Sequence, residues 1–227
     1  MDYTNCWYKT EEGCIKNPDT ICSESCPIFR NMLRSFQNSR LEQKFWFPFA
    51  LKSIDVDKKE TQKLVDIRQN IEQFVVQGKN LLIQSSNCGN GKTCWGIKLL
   101  QRQIEKGWKN NINIPPALFV YIPDLLLRAK NNICKPSEEY NTLLFLLNEV
   151  PLVLFDDIGC IAMKDYDMLL LSTVIEGRIS KGLSSIYTTN LQDDALRSNL
   201  GERLYDRIYR LSEVVTFKSK SLRSYNG

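Results

Sequence analysis

The stretch LLIQSSNCGNGKTCWG, Leu81–Gly96, decides how the rest of the chain is read. It fits the phosphate-loop pattern G-x-x-x-x-G-K-[ST] at Gly91, Lys92 and Thr93, but Ser86 stands where the first glycine belongs. The physical demands of such a loop are more specific than the pattern. A buried strand delivers the chain, successive backbone N–H groups turn inward as an anion nest, and a helix begins at the threonine with its positive dipole end facing the phosphates. Asn80–Gln84, NLLIQ, supplies the strand, while Gly89 and Gly91 lack a Cβ and let the backbone approach a phosphate closely. Ser86 sits at the strand exit, where glycine mainly eases a bend, so the departure bears on loop geometry rather than on chemistry. On this reading Ser86, Asn87, Cys88, Asn90 and Cys94 border the nucleotide together with the two glycines, Lys92 binds the β- and γ-phosphates, and Thr93 ligates magnesium through its hydroxyl. The competing reading is a glycine-rich turn that precedes a helix.

Composition bounds the rest. A chain of 227 residues suits about one to two domains, and 43% hydrophobic content is enough for a core. No stretch approaches the roughly 18 to 20 apolar residues of a membrane span, and the start, MDYTNCWYKTEEGC, has neither a basic region nor an apolar run. A soluble, cytoplasmic protein with no membrane partner is expected. The net charge of +4 permits nucleic-acid binding without arguing for it.

Cysteine usage is uneven. Of eight cysteines, Cys6, Cys14, Cys22 and Cys26 fall in the first 26 residues, separated by seven, seven and three residues. Clustered cysteines in a cytosolic chain bind metal more often than they form disulfides, and with no histidine anywhere a zinc site would be all thiolate. Such a structural Zn2+ would hold a segment too short and polar to fold by burial alone. The spacing is not a pair of tight C-x-x-C knuckles, so an iron–sulfur cluster or unligated thiols stay open as alternatives. Cys88, Cys94, Cys134 and Cys160 are scattered, and for them a packing role is the plain reading.

Apolar residues at three- and four-residue spacing in PIFRNMLRSF predict a helix after Cys26, with Pro27 in its first turn. FWFPFALK is a compact apolar segment broken by Pro48, and DVDKKETQKLVDIRQNIEQFVVQGKN reads as one helix ending at Gly78. The module boundary falls near residues 38 to 48. From Gly78 strands and helices alternate, which predicts an α/β fold with a parallel sheet and crossover helices. The strands are NLLIQ, ALFVYIP, PLVLFDDIG, SSIYTTN and VVTF. PLVLFDDIG is apolar enough to be buried on both faces and ends in Asp156 and Asp157, about 65 residues after the loop. In phosphate-loop ATPases such a strand lies beside the loop strand, so Asp156 is expected in the magnesium shell and Asp157 to orient or activate the attacking water. Asn190, at the end of SSIYTTN, is placed to bridge the acidic pair and the γ-phosphate; a strand-ending turn asparagine is the alternative.

Taken together, NLLIQSSNCGNGKT, VLFDDIG, IYTTN and NLGERLYDRIYRLSEVVTFKSKSLR resemble the DnaC/DnaI group of AAA+ helicase loaders, which includes the related IstB transposition ATPases and loaders carried by phages and mobile elements. The resemblance covers about residues 75 to 225. It implies an AAA+ P-loop ATPase domain over 48–227, ATP and Mg2+ as cofactors, and an ATP site of Lys92, Thr93, Asp156, Asp157 and Asn190. It also implies an arginine finger supplied across subunits by Arg207, or by Arg203, and a second sensor at Arg223. The cysteine-bearing start resembles the amino-terminal metal modules of some members, giving residues 1–47 as a metal-binding, partner-binding module. Pro48 to Leu51 are expected near the adenine.

The arginine segment also reads as an amphipathic helix with solvated charges, and the finger reading requires a homo-oligomer. Only ten residues follow VVTF, which predicts no C-terminal helical lid and a slow nucleotide switch rather than a fast motor. Two functions are implied by the resemblance: an ATP-controlled loader of a replicative DnaB-type helicase in DNA replication initiation, with single-stranded DNA held by the ATPase core, or an IstB-like transposition regulator on duplex DNA. The metal module favours the loader, since it offers a separate partner-binding domain. A small-molecule kinase fits less well, because it usually carries a flexible lid and a substrate pocket. Arg128, Lys130 and Lys135 are possible DNA contacts, although a solvated basic loop is the plainer reading.

Overall fold

The computed structural model describes residues 6–11, 13–16, 23, 25–51, 57–108 and 114–221. Two short strands, β1 (Lys9–Thr10) and β2 (Gly13–Cys14), form an antiparallel pair ahead of helix α1 (Pro27–Asn38). Helices α2 (Lys58–Gln69) and α3 (Ile71–Val76) then lead into β3 (Asn80–Gln84), α4 (Lys92–Gly107), β4 (Ala117–Tyr121), α5 (Ile122–Cys134) and α6 (Glu138–Glu149). β5 (Leu152–Asp156), α7 (Asp165–Ser180), β6 (Ser184–Thr189), α8 (Asp193–Tyr209) and β7 (Ser212–Thr216) complete the order.

The five longer strands form one parallel sheet in the order β4-β5-β6-β3-β7. Its three central strands are buried at every position; β5 accordingly reads as a near-continuous apolar run, while β3 and β6 also bury polar residues such as Asn80, Gln84 and Thr188. Alternate residues still serve opposite faces. Leu81, Ile83, Leu152, Leu154, Ile186 and Val215 pack under α1 to α4, whereas Leu82, Val153, Phe155 and Tyr187 pack under α5 to α8. The acidic strand does not lie beside the loop strand, as the sequence reading placed it. β6 is inserted between β3 and β5, because strand order is set by non-local packing that no short motif encodes.

Residues 57–78 are two helices rather than one. Where α2 gives way to α3 the Asp66 carbonyl accepts both the Asn70 backbone N–H at 3.1 Å and the Asn70 side-chain amide at 3.0 Å. Helix α8 is likewise kinked at Gly201, whose φ of 72° lies in the left-handed region that a residue with a Cβ resists. The kink separates the arginine-bearing end of α8 from its start.

The amino-terminal segment joins the same core. Met32, Phe36 and Leu41 pack in one cluster with α4 and the sheet, and the Phe119 N–H at the edge strand β4 donates to the Ser39 carbonyl at 2.8 Å. Trp7 stacks on Phe36 and Phe47 with ring centroids 4.8 and 5.0 Å apart. The Tyr8 hydroxyl donates to the Glu105 carbonyl at 2.8 Å and accepts from the Trp108 indole at 3.1 Å, and burial raises its pKa. No three Cys, Asp or Glu side chains among the described residues form a group able to hold a metal ion. Cys22 lies outside those residues, but a shared four-thiolate site would still bring Cys6, Cys14 and Cys26 into one coordination sphere, and they are not so arranged. The described segment is held by aromatic packing instead.

Arg178 locks the far end of the sheet. It is 0% exposed, and its guanidinium donates to the carbonyls of Leu147 (2.6 Å), Val150 (3.0 Å) and Ser184 and to the Ser185 hydroxyl (3.0 Å). No carboxylate pairs with it among the described residues, and burial lowers its pKa to about 10. Replacing it by methionine keeps apolar bulk but strands buried carbonyls, so Arg178→Met is expected to lower unfolding stability by about 3 kcal/mol. Urea denaturation checks this; a loss under about 1 kcal/mol would show that the carbonyls find other partners.

Candidate nucleotide-binding site

The carboxyl ends of β3, β5 and β6 converge on one cleft, the usual ligand position in open α/β sheets. The loop after β3 turns through Gly89 and Gly91, with φ of 76° and 96°, and delivers Lys92 and Thr93 as the first two residues of α4. Buried β3 fixes the loop's start, and α4, packed on the sheet, fixes its end. The cleft has a volume of about 520 Å³, within the usual range for a small-molecule site. Cys88 to Cys94, Asp157 and Asn190 line it, and Ala50 and Leu51 close one wall.

Three side chains meet beneath the loop. The Thr93 hydroxyl donates to Asp156 Oδ1 at 2.8 Å, and the Thr188 hydroxyl donates to the same oxygen at 2.6 Å. The Asp157 N–H in turn donates to Thr188 Oγ1 at 3.0 Å, and Asn190 Nδ2 donates to Asp157 Oδ1 at 3.1 Å. Asp157 adopts a φ of 58°, uncommon for a residue with a Cβ, as its chain turns out of β5 into the cleft. Thr188 is the residue that sequence reading missed. Its signal was present, since a polar residue two positions before Asn190 on a fully buried strand needs a partner, but the partner depends on β6 lying beside β5.

The charges here are strained by burial. Asp156 is 5% exposed, and burial raises its pKa against the opposing effect of the Thr188 and Thr93 hydrogen bonds. Lys92 is 5% exposed, and burial lowers its pKa despite the nearby Cys88, Asp157 and Asp156. Its ammonium donates to the Asn87 carbonyl at 2.8 Å and to Asn90 Oδ1 at 3.1 Å. A buried ammonium and a buried carboxylate beside a cleft suit an anion on one side and a divalent cation on the other. The left-handed glycines, the helix start and the Thr93–Asp156 pair thus fit ATP and Mg2+.

The remaining expected residues fall elsewhere. Ser86 is exposed at the strand exit and Asn87 stands beside the cleft; neither lines it. Arg203 pairs with Glu176 through two bonds of 2.9 and 3.0 Å. Arg207, one turn further along α8, is exposed and makes no ion pair among the described residues. Neither arginine lines the cleft. Arg223 lies outside the described residues. Of the three basic residues near the polar loop, Arg128 is paired with Asp124 and Glu139 and Lys130 with Asp167, whereas Lys135 is exposed and makes no ion pair among the described residues. No described helix is long and apolar enough to cross a membrane.

No protein-family model matches the chain. Among curated proteins, the replicative helicase loader DnaC of Buchnera aphidicola subsp. Acyrthosiphon pisum (strain APS) is 31% identical over 163 residues, covering 70% of this chain and 60% of that one. The replicative helicase loader DnaI of Bacillus subtilis (strain 168) is 25% identical over 153 residues, covering 65% of this chain and 46% of that one. The chain therefore spans roughly half the length of the curated relatives it matches. Among solved structures, the DnaC helicase loader superposes with a TM-score of 0.62 at 23% identity, covering 78% of this chain and 100% of that one. The replication initiator DnaA bound to AMPPCP and single-stranded DNA gives 0.58 at 15% identity, covering 75% and 49%. At those identities the structures speak for the fold, and the sequence relatives carry the kinship. With its sheet order and phosphate loop, the chain is similar in sequence to the DnaC/DnaI helicase loaders and shares the fold of the DnaC loader structure.

Proposed function

We propose that the chain is an ATP-dependent loader of a replicative DnaB-type helicase, working as a homo-oligomer whose ATPase core holds single-stranded DNA. The observation that carries the nucleotide part is the cradle formed by Lys92, Thr93, Asp156, Asp157 and Asn190 at the ends of three adjacent strands. The loader part is supported by the sequence relatives, which are replicative helicase loaders, and the DNA part by the single-stranded DNA bound to the DnaA neighbour.

Bound Mg2+–ATP supplies the electrophilic phosphorus and the divalent charge. In this reading Lys92 leaves its two loop oxygens for phosphate oxygens, and Thr93 and Asp156 hold the metal side. Asn190 fixes one oxygen of Asp157, which orients that carboxylate to position water and accept its proton. The exposed Arg207, with no ion pair of its own among the described residues, is the better finger for a neighbouring subunit, since Arg203 is already held by Glu176. Turnover by an isolated chain is then slow. Ala50 and Leu51 are the candidate base-side wall. The amino-terminal residues 1–47 are the candidate helicase-binding part. Their descent to the site runs over α4, where Gln101 Nε2 donates to the Phe45 and Phe47 carbonyls (2.6 and 2.9 Å) and Lys98 Nζ to the Phe49 carbonyl (2.5 Å).

Asp156→Asn separates fold from function. Burial raises this carboxyl above its ordinary value of 3.8, so the folded chain binds the proton more tightly than the unfolded chain does. The charged form therefore costs stability near neutral pH, and that cost fades as pH falls through the raised folded value. The amide oxygen still accepts from Thr93 and Thr188. Asp156→Asn is expected to raise nucleotide-free stability at pH 7 by on the order of 1 kcal/mol, to flatten its pH dependence, and to abolish ATP hydrolysis. Denaturation curves at several pH values check the first two outcomes, and unchanged midpoints would contradict the buried-charge account.

Lys92→Ala removes a charge-assisted phosphate contact of about 1.5 to 3 kcal/mol and is expected to weaken ATP binding about tenfold or more. Asp157→Asn and Arg207→Ala should each stop hydrolysis, yet recover part of it when mixed, because some interfaces then pair an intact Asp157 site with an intact neighbouring Arg207. Mixtures that co-assemble but stay inactive would exclude Arg207 as the finger. Retention of the full chain by the replicative helicase of its own source tests the loader reading, and a chain that binds ATP but not that helicase would overturn it.

A further inference from the structure

The short segment that follows β7 is tied to the phosphate loop by bonds the catalytic reading does not use. It leaves the sheet with the Phe217 N–H on the Gln84 carbonyl at 2.9 Å. Asp57, 4% exposed, then accepts from two successive backbone amides, Lys218 N at 2.8 Å and Ser219 N at 3.1 Å. Ser219 is 4% exposed, yet its hydroxyl meets no partner among the described residues, where the segment is held through its main chain.

The opposite side of that main chain belongs to the loop. Asn87 Nδ2 donates to the carbonyls of Lys218 (3.4 Å) and Ser219 (3.1 Å). Asn90 Nδ2 donates to the Ser219 carbonyl at 3.4 Å and to Ser85 Oγ at 2.7 Å. Asn90 is 4% exposed, and its other amide atom, Oδ1, accepts from Lys92 Nζ at 3.1 Å. One buried amide therefore connects the phosphate-binding ammonium directly to the segment after β7. Asn87 touches both as well, but through separate atoms: its backbone carbonyl takes the lysine and its side chain takes the segment.

We infer that Asn90 is a positioning residue that reports phosphate occupancy of the loop to the segment at Lys218 and Ser219. The inference rests on the nucleotide reading of the loop. An ammonium on Oδ1 polarises the amide and strengthens the bond its Nδ2–H makes to the Ser219 carbonyl, since hydrogen bonds in a chain reinforce one another at low dielectric. A phosphate that draws Lys92 away removes that polarisation, and the clamp on Ser219 weakens. The Asn87 amide has no such link, because its conjugated oxygen does not receive the lysine.

Amide hydrogen exchange of the Lys218 and Ser219 backbone, with and without a non-hydrolysable ATP analogue, tests this on the full chain. In the unaltered protein exchange there is expected to speed up several-fold on analogue binding. Asn90→Ala should bind the analogue within about tenfold of the unaltered chain, exchange faster already without it, and show no further response. Asn87→Ala should also exchange faster at rest but keep the response, which a merely structural loosening of the segment would not distinguish. Asn90→Asp, equal in size, keeps the oxygen for Lys92 and loses the donor, so it too should lose the response and stands in if the alanine variant fails to fold. Unchanged or slower exchange in the unaltered protein with analogue bound would overturn the coupling, as would a full response in Asn90→Asp. If the unaltered chain binds no analogue at all, the nucleotide reading falls and the coupling falls with it; loss of the exchange response alone sinks only the coupling.

Discussion

The site depends on one carboxylate oxygen. Asp156 Oδ1 receives the Thr93 hydroxyl from the first turn of α4 and the Thr188 hydroxyl from β6, so it ties the phosphate loop, the acidic strand and the strand between them into one unit. Both donors are needed because the carboxylate is nearly sealed from water, and a buried charge without hydrogen bonds would cost more than the fold could carry. The same arrangement leaves the charge poorly solvated, which is a reason for a divalent cation to be welcome there. The atoms that brace the loop are the same ones the nucleotide reading assigns to the metal side.

Helix α4 carries that constraint outward. Its first residues are Lys92 and Thr93, its middle takes the Phe45, Phe47 and Phe49 carbonyls through Gln101 and Lys98, and its end meets Tyr8 at the Glu105 carbonyl. The amino-terminal segment is thus fastened along the helix that begins at the phosphate lysine. Its stability comes from aromatic surface: Trp7 stacks between Phe36 and Phe47 while its indole N–H reaches the Trp46 carbonyl at 2.8 Å.

The opposite face shows how a buried charge can be purely architectural. Arg178 spends its donors on carbonyls at the ends of α6 and the start of β6, closing the amino-terminal edge of the sheet, whereas Lys92 and Asp156 at the carboxyl edge keep charges that a ligand can satisfy. All three are sealed from water, and only the latter two border the cleft residues. Burial alone does not mark a site; an incompletely satisfied charge beside open space does.

Much of this was legible in residues that act locally. The loop glycines, Lys92 and Thr93 are fixed by what a phosphate nest and a helix start require, and VLFDD announces a strand buried on both faces that must end where its carboxylates can turn out. Asn190 was legible too, as a polar end to another buried strand, and it lies against Asp157. What the sequence could not settle was adjacency. Whether β5 or β6 neighbours the loop strand, and hence that Thr188 reaches Asp156, follows from how the sheet and the described helices share two cores, a non-local balance with no short signature. The thiols, whose spacing suggested a metal, form no metal-holding group among the described residues, and the 57–78 run, whose periodicity suggested one helix, divides at Asn70. Sequence alone determined which side chains could bind a phosphate; tertiary structure decided which of them meet, because contact between distant segments is chosen by the packing of the whole sheet.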